Sequence, residues 1–168
     1  MRVEFFKPNE KRRLCAWEAT RGKRTVVPGT VMAAGASIPH DLAQYVIEAA
    51  TGYEHGFWGL VADGATFKST GRKRTKPGRA VIAEHLDKLA GSEWLAAEHL
   101  ATWHRGETTE VTAALSGALA QWEALALGDR LVFEWPGATG TVVRATAAGQ
   151  EPAPSEEICV SPIRRRGG

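Results

Sequence analysis

The chain has 168 residues, of which 43% are hydrophobic and 24% are charged, and its formal net charge at pH 7 is +2. This length and composition fit one folded domain and exclude collagen-like, low-complexity and wholly disordered chains. No segment approaches the roughly 18 consecutive apolar residues that a membrane span needs, and the N-terminus lacks the apolar stretch of a signal peptide, so no membrane partner is expected.

Cysteine usage also narrows the class of protein. Cys15 and Cys159 lie near opposite ends of the chain and form neither a metal-binding nor a redox motif. A disulfide-stabilised secreted scaffold is therefore not expected, and a reducing cytoplasmic location is predicted.

The chain begins with segments typical of β-structure and then changes to a helical pattern. Short alternating segments, separated by turns that contain proline and glycine, predict strands at residues 3–6, 14–19 and 25–27. After Ser37, apolar residues recur with a helical period, which predicts a helix over residues 38–51.

The middle of the chain is predicted to be mostly helical. A short helix is expected at residues 56–62, and Thr75, followed by a proline in the first turn, indicates the start of another. Gly91 is predicted to end that helix and Ser92 to cap the next one. The larger residues expected to be buried in this next helix are Trp94, Leu95, Ala101 and Trp103. A last helix is predicted over residues 111–125.

The C-terminal part returns to β-structure. Residues 130–135 and 139–145 predict two strands, and residues 147–168 have the composition of a linker followed by an arginine-rich tail, with an edge strand at 158–160. Together these elements predict one α+β domain over residues 1–146. In it, strands from both ends form a mostly antiparallel sheet, and a central block of four to five helices packs on one face.

The start of the 38–51 helix carries the most suggestive group of polar side chains. At about 100° per residue, four of them fall within one quarter of the helix circumference: His40, Asp41, Gln44 and Glu48. An imidazole, two carboxylates and an amide on successive turns are groups that an acid–base or metal site uses. The solvated face of an amphipathic helix has the same pattern, and both interpretations stay open.

Two segments resemble a group of small uncharacterised bacterial proteins, whose helix opens H-D-L-x-H-Y and is followed by G-F-F-G-L. They are P-H-D-L-A-Q-Y at residues 39–45 and G-F-W-G-L at residues 56–60. The likeness covers residues 39–64. It implies a shared fold nucleus and leaves a shared site open, and no activity is attached to that group. The chain departs from the pattern at Gln44, where the group has its second histidine. Because glutamine is a poor ligand for zinc or iron, a two-histidine metal site on this helix alone is not expected.

His55 is the histidine nearest in sequence to the four polar residues, and it is the candidate to complete an acid–base site. No pair of histidines has the H-x-x-x-H or H-E-x-x-H spacing, and the chain contains no G-x-S-x-G, S-x-x-K, dinucleotide-binding or P-loop motif. The sequence therefore names no cofactor and no reaction. It leaves open whether a metal binds and whether the chain is an enzyme.

A basic segment lies between the second and third predicted helices. Residues 68–79 hold six of the 21 lysines and arginines and no acidic residue, so the rest of the chain, with 15 basic and 19 acidic residues, carries about −4. Positive side chains at the start of a helix are repelled by the positive end of its dipole. A phosphate or sulfate bound there would be attracted both by these side chains and by the dipole. The candidate anion-binding residues are Lys68, Arg72, Lys73, Arg74, Thr75, Lys76 and Arg79.

Two functions of different classes follow from these features. The first is a small soluble protein that binds a phosphate-bearing or other anionic ligand, nucleic acid being one candidate, through the basic segment. The second is an acid–base or metal-assisted enzyme with its site on the 38–51 helix, acting on an anionic substrate that the basic segment attracts. A segment that only maintains solubility, or that docks on an acidic protein partner, is the alternative to both. The oligomeric state is not predicted.

Overall fold

The computed structural model describes residues 1–7, 16–23, 25–29, 38–70 and 74–145. Five strands form one antiparallel sheet in this part of the chain: β1 (Arg2–Phe6), β2 (Ala16–Arg21), β3 (Thr25–Pro28), β4 (Arg130–Glu134) and β5 (Thr141–Val143). Between β3 and β4 the described residues form five helices, with a 3₁₀ turn at Lys68–Thr70: α1 (His40–Thr51), α2 (Phe57–Ala62), α3 (Lys76–Glu84), α4 (Leu86–His104) and α5 (Glu110–Glu123). The predicted α+β class is confirmed.

The sheet joins the two ends of the described chain. Its strand order is β3-β2-β1-β4-β5, so the N-terminal strand β1 lies in the centre between β2 and the C-terminal strand β4. In this register Phe5 is opposite Trp17 on one side and Leu131 on the other. Residues directly opposite each other on neighbouring strands point to the same face of the sheet, so these three side chains share a face.

That face of the sheet packs against the helices and forms the core. Val3, Phe5, Trp17 and Phe133 are fully buried or nearly so, and the core cluster continues into α1, α2 and α5. The Phe5 ring makes edge contacts with three other aromatic rings, at centroid distances of 5.6 to 6.0 Å: those of Tyr45, Trp58 and Phe133. Edge-to-face packing of this kind adds to the free energy gained from burial alone.

Helix α1 lies at the centre of the helical layer. Its residues from Leu42 to Glu48 are all buried, and the helix packs against both α4 and α5. The helix ends at Gly52, whose φ of 65° is a left-handed conformation that glycine adopts without strain. Because the middle of α1 is buried on nearly every side, only the ends of this helix are exposed to solvent. The interpretation of its polar residues as the solvated face of an amphipathic helix therefore does not hold for the middle of α1.

The predicted break at Gly91 and Ser92 is wrong. Helix α4 continues through both residues, and the chain is interrupted at His85 instead, whose φ and ψ of −125° and 28° are not helical. Gly91 has a packing reason to lie inside a helix, because a Cβ there would come within 2.5 Å of the Tyr53 hydroxyl. Ser92 does not cap a helix but is fully buried within α4.

The continuous helix also changes which residues are buried. The buried residues of α4 are Ser92 and Ala96. Trp94 is 68% exposed and Ala101 is also exposed, so the prediction that Trp94 and Ala101 are buried is wrong. Leu95 and Trp103 are half-buried and pack against the core.

Several sequence predictions fall on residues that the structure does not describe. These are the predicted edge strand at 158–160, the linker and basic tail over 147–168, both cysteines, and Arg72 and Lys73 of the basic segment. Among the described residues, no helix is both long and apolar enough to cross a lipid bilayer.

Candidate functional site

The first turn of α1 holds Asp41 in a fixed position. The Trp17 indole N–H donates a hydrogen bond of 2.8 Å to Asp41 Oδ2, and the Trp58 indole N–H donates one of 3.2 Å to the Asp41 backbone carbonyl. Both tryptophans are fully buried or nearly so. A carboxylate at the N-terminal turn of a helix is also favoured by the helix dipole. Asp41 is therefore held from the side chain and from the backbone by two rigid core residues.

His40 precedes Asp41 and lies in contact with its carboxylate. Its Nδ1 atom lies 3.4 Å from Asp41 Oδ1, and its side chain is 63% exposed. The hydrogen bond to Asp41, together with the negative charges of Asp41 and Glu93, raises the pKa of His40 above its ordinary value of 6.5, although partial burial acts in the opposite direction. Had the basic segment dominated its surroundings, the pKa would have been lowered. The carboxylates dominate instead.

Gln44 connects two carboxylates one turn further along α1. Its amide nitrogen donates hydrogen bonds of 3.1 Å to Glu48 Oε1 and of 3.1 Å to Glu93 Oε1 on α4. An amide nitrogen carries two N–H donors, whereas a neutral histidine carries one. A neutral histidine at position 44 could therefore not donate to both carboxylates, as the glutamine amide does.

Glu48 is fully buried and supports the start of α2. Its two carboxylate oxygens accept hydrogen bonds of 2.9 Å from the backbone N–H groups of Phe57 and Trp58. Those N–H groups belong to the first turn of α2, which has no other side-chain cap. Burial raises the pKa of Glu48 to about 7, against the effect of the hydrogen bonds, which lower it. The observed contacts of Glu48 are those of a helix cap.

These side chains border a pocket of about 530 Å³ between α1, α2 and α4, which we call the α1 pocket. Its lining combines the polar groups above with aromatic and aliphatic side chains: His40, Asp41, Gln44, Phe57, Phe67, Ser69, Leu86, Leu89, Ala90 and Glu93. A mostly apolar cavity with a few convergent polar groups is the usual form of a small-molecule site. Glu48 lies behind its wall and does not line it.

His55 does not join this group. Its ring stacks on the ring of His85, with a centroid distance of 4.5 Å and an interplanar angle of 5°. Neither histidine is among the residues that line the α1 pocket. The structure therefore brings together His40, Asp41 and Gln44 at the pocket, keeps Glu48 behind them and places His55 outside.

Among its described residues, the basic segment contributes one residue to the lining of the α1 pocket, and that residue is neutral. Ser69 lines the pocket, whereas Lys68, Arg74, Lys76 and Arg79 are exposed and do not. Among the described residues these four cations form no ion pair. Their charges therefore face solvent.

The start of α3 does not offer the backbone donors that the anion hypothesis assumed. Thr75 caps the helix, its hydroxyl accepting a hydrogen bond of 3.0 Å from the Gly78 N–H, and Pro77 has no N–H to donate. Gly78 is buried against Thr66 and the Gly64 carbonyl, so it serves close packing. Anion binding here would depend on the cationic side chains.

Of the ten residues that line the α1 pocket, only His40, Asp41 and Gln44 were predicted as site residues from the sequence. Phe57 occurs in the G-F-W-G-L segment without an assigned role, and Leu89, Ala90 and Glu93 lie where a helix break was predicted. A continuous α4 would have placed Glu93 and Leu89 one turn apart on one face. Among the described residues, no group of three or more histidine, cysteine, aspartate or glutamate side chains is arranged to hold a metal ion.

No protein-family model, curated protein sequence or solved structure matches this chain. Function is therefore inferred from the site itself.

Proposed function

We propose that the α1 pocket binds a small molecule with an apolar body and that His40, oriented by Asp41, exchanges a proton with it. The observation that carries this proposal is the convergence of the His40–Asp41 pair and the Phe57–Phe67 surface on one cavity of about 530 Å³. It develops the acid–base hypothesis and does not require a metal.

The geometry of His40 suits proton transfer. A proton on Nδ1 is directed towards Asp41 Oδ1, which leaves Nε2 as the base that can reach a ligand. The Asp41 carboxylate favours the protonated ring and raises the pKa of His40 above its ordinary 6.5. The pair therefore stabilises the imidazolium that forms when His40 takes up a proton.

The apolar part of the pocket supplies binding surface. The Phe57 and Phe67 rings lie 4.8 Å apart between centroids, and Leu86, Leu89 and Ala90 face them from α4. Burial of apolar ligand surface makes the binding free energy more favourable by roughly 25 cal/mol per Å². A planar or aromatic body of modest size therefore fits this surface, with its reactive end directed to His40.

The charge of the lining favours one class of ligand over another. Asp41 and Glu93 are both acidic, and the lining contains no lysine or arginine among the described residues. A carboxylate or phosphate placed in the cavity would be repelled by these groups, whereas a neutral or cationic ligand would not. We therefore revise the anionic substrate of the sequence hypothesis to a neutral or cationic one.

The proposal is tested with 5-nitrobenzisoxazole, a planar probe whose ring opens when a base removes its C3 proton and the N–O bond breaks to give a coloured cyanophenolate. We expect turnover that rises with pH through the His40 pKa, that is lost in His40→Ala, and that falls in Ala90→Trp, which fills the cavity. His99→Ala is the matched control, because His99 does not line the pocket. Equal turnover in wild type, His40→Ala and Ala90→Trp would refute the proposal.

A second candidate function is anion binding by the basic segment. It is favoured by four exposed cations without ion-pair partners among the described residues: Lys68, Arg74, Lys76 and Arg79. Because α3 offers few free N–H groups, binding would be electrostatic and would weaken steeply with added salt.

Replacement of Lys73, Arg74 and Lys76 by alanine tests this second candidate with a generic DNA duplex and a single strand at low and high salt. Replacement of Arg164, Arg165 and Arg166 removes the same charge elsewhere and is the matched control. Loss of affinity in the first variant alone supports the candidate, and equal affinity in both variants and wild type contradicts it.

A further inference from the structure

The outward face of α4 is apolar where a surface helix is normally most polar. Around the helix axis, Ser92, Ala96 and Trp103 mark the side that packs on the protein. On the opposite side five apolar residues are exposed, of which the first two also line the α1 pocket: Leu86, Ala90, Trp94, Ala97 and Ala101. At about 100° per residue these five fall within a stripe about 80° wide, which also contains the exposed His104 at the end of the helix. We call this stripe the α4 face.

Trp94 makes the α4 face unusual. Its side chain is 68% exposed, and Leu86 is 59% exposed, so both leave large apolar surfaces in water. Exposed alanines in a helix are explained by helix propensity, but an exposed tryptophan at the centre of a 19-residue helix is not. Tryptophan is also the residue type most enriched among those that dominate binding free energy at protein interfaces.

We propose that the α4 face is the contact surface for a second copy of this chain, in an antiparallel pair of α4 helices related by a two-fold axis. If Trp94 of each copy packs against Ala97 of the other, then Ala90 packs against Ala101. Each large side chain is thereby opposite a small one, and no two large ones compete for the same space. The arrangement is self-complementary, as a two-fold interface must be.

The charges of α4 fit the same pairing. Its first turn carries Asp87, whereas its last turn carries His104, with Arg105 next in the chain. In the antiparallel register, Asp87 of one copy approaches Arg105 of the other on the same side of the pair, where it would join the ion pair that Arg105 makes with Glu107 in its own chain. The two helix dipoles also oppose each other favourably. A parallel pairing would place Asp87 beside Asp87.

The size of the stripe predicts a weak dimer. The contact involves one helix from each copy, which is small beside the roughly 1,600 Å² buried in a typical stable interface. We therefore expect association in the micromolar range, with the two Trp94 side chains contributing most of the affinity. Leu86 and Ala90 belong both to the α4 face and to the lining of the α1 pocket, so the pairing would cover one edge of that pocket, whereas Trp94, Ala97 and Ala101 lie outside it.

Sedimentation velocity over a range of concentrations of the full chain tests the pairing. Wild type is expected to dimerise, and Trp94→Ser is expected to weaken the dimer by at least about 30-fold, because each substitution is present twice. Ala97→Glu is expected to do the same by filling the site opposite Trp94. Leu127→Ser is the matched control, because Leu127 is 74% exposed and lies outside the α4 face.

Charge exchange tests the register. Asp87→Arg and Arg105→Asp are each expected to weaken the dimer, and the two changes together are expected to restore it. A wild-type protein that stays monomeric at high concentration would mean that something other than a second copy covers the α4 face, and the proposal would be wrong. It would also be wrong if Leu127→Ser weakened the dimer as much as Trp94→Ser, or if the double charge exchange did not restore it.

Discussion

The carboxylate of Glu48 occupies the space in which a side chain on Gly56 would lie. A Cβ built on Gly56 would overlap the Cδ atom of Glu48, and the same carboxylate accepts the N–H groups of Phe57 and Trp58 at 2.9 Å. Gly56 is the N-cap residue of α2 and supplies no side-chain oxygen. Glu48 thus caps α2 from a neighbouring helix, and Gly56 provides the room for it.

This relationship predicts coupled effects on stability. Glu48→Ala leaves two N–H groups without their acceptor in the core and creates a cavity, so we expect it to lower the free energy of unfolding by about 3–5 kcal/mol. Gly56→Ala should lower it by about 1–3 kcal/mol through overlap with the carboxylate. In the double variant the overlap is gone, so the combined loss should be smaller than the sum. Urea unfolding of all four proteins measures this, and additive losses would contradict the account.

The buried carboxylate also predicts a pH dependence of stability. Burial raises the pKa of Glu48 from 4.5 to about 7 in the folded protein, so the folded state binds the proton more tightly than the unfolded state does. The stabilisation that comes from proton binding by Glu48 is therefore fully present below pH 4.5 and is lost as the pH rises through about 7. Its complete loss lowers the free energy of unfolding by about 3 kcal/mol.

Unfolding by urea at several pH values between 4.5 and 7 checks this slope. Glu48→Gln should remove most of it even if the variant is less stable at every pH. Glu4 and Asp129 have lowered pKa values, so they act at more acidic pH. His40, whose pKa is raised above 6.5, contributes only at the upper end of the window, and that contribution stays in Glu48→Gln. A wild type whose stability increases steadily across the window, with the same slope in Glu48→Gln, would show that the pKa is not raised.

The His40–Asp41 contact predicts the titration of His40. Its pKa should lie above 6.5 in the wild type, because of the hydrogen bond and the negative charges around it. Asp41→Asn should lower it, since the amide keeps the shape but not the charge. Replacement of Lys73, Arg74 and Lys76 by alanine should change it little. NMR titration of the ring protons measures all three, and a value that Asp41→Asn leaves unchanged would mean that the contact is absent in solution.

Most of the fold could be predicted from the sequence, because its local signals agree with the tertiary structure. The 38–51 helix was found from its apolar period and its glycine end, and the strands from alternation between turns. The break at Gly91 was predicted wrongly because a glycine inside a helix usually weakens it. Here the absence of a side chain makes room for the Tyr53 hydroxyl, a contact that the sequence does not reveal.

The site was predicted only in part, for a similar reason. His40, Asp41 and Gln44 share a face because helix geometry requires it, and that much follows from spacing. Whether this face of α1 is exposed to solvent or covered depends on α4, since the Gln44 amide donates a hydrogen bond to Glu93, 49 positions away in the chain. The chain distance between those partners is why spacing alone could not separate a solvated face from a pocket.

Gly78 distinguishes packing from anion binding at the start of α3. A Cβ there would overlap the Thr66 hydroxyl and come within 2.9 Å of the Gly64 carbonyl, and Thr66 Oγ1 accepts the Thr75 N–H at 3.1 Å. Gly78→Ala should therefore lower the free energy of unfolding by about 1–3 kcal/mol. Gly117→Ala is the matched control: it lies in α5 with nothing within 4 Å of a Cβ, so alanine should raise stability by about 0.5–1 kcal/mol. If urea unfolding shows both variants to be equally stabilised, close packing does not explain Gly78, and room for the close approach of an anion to the start of α3 becomes the better explanation.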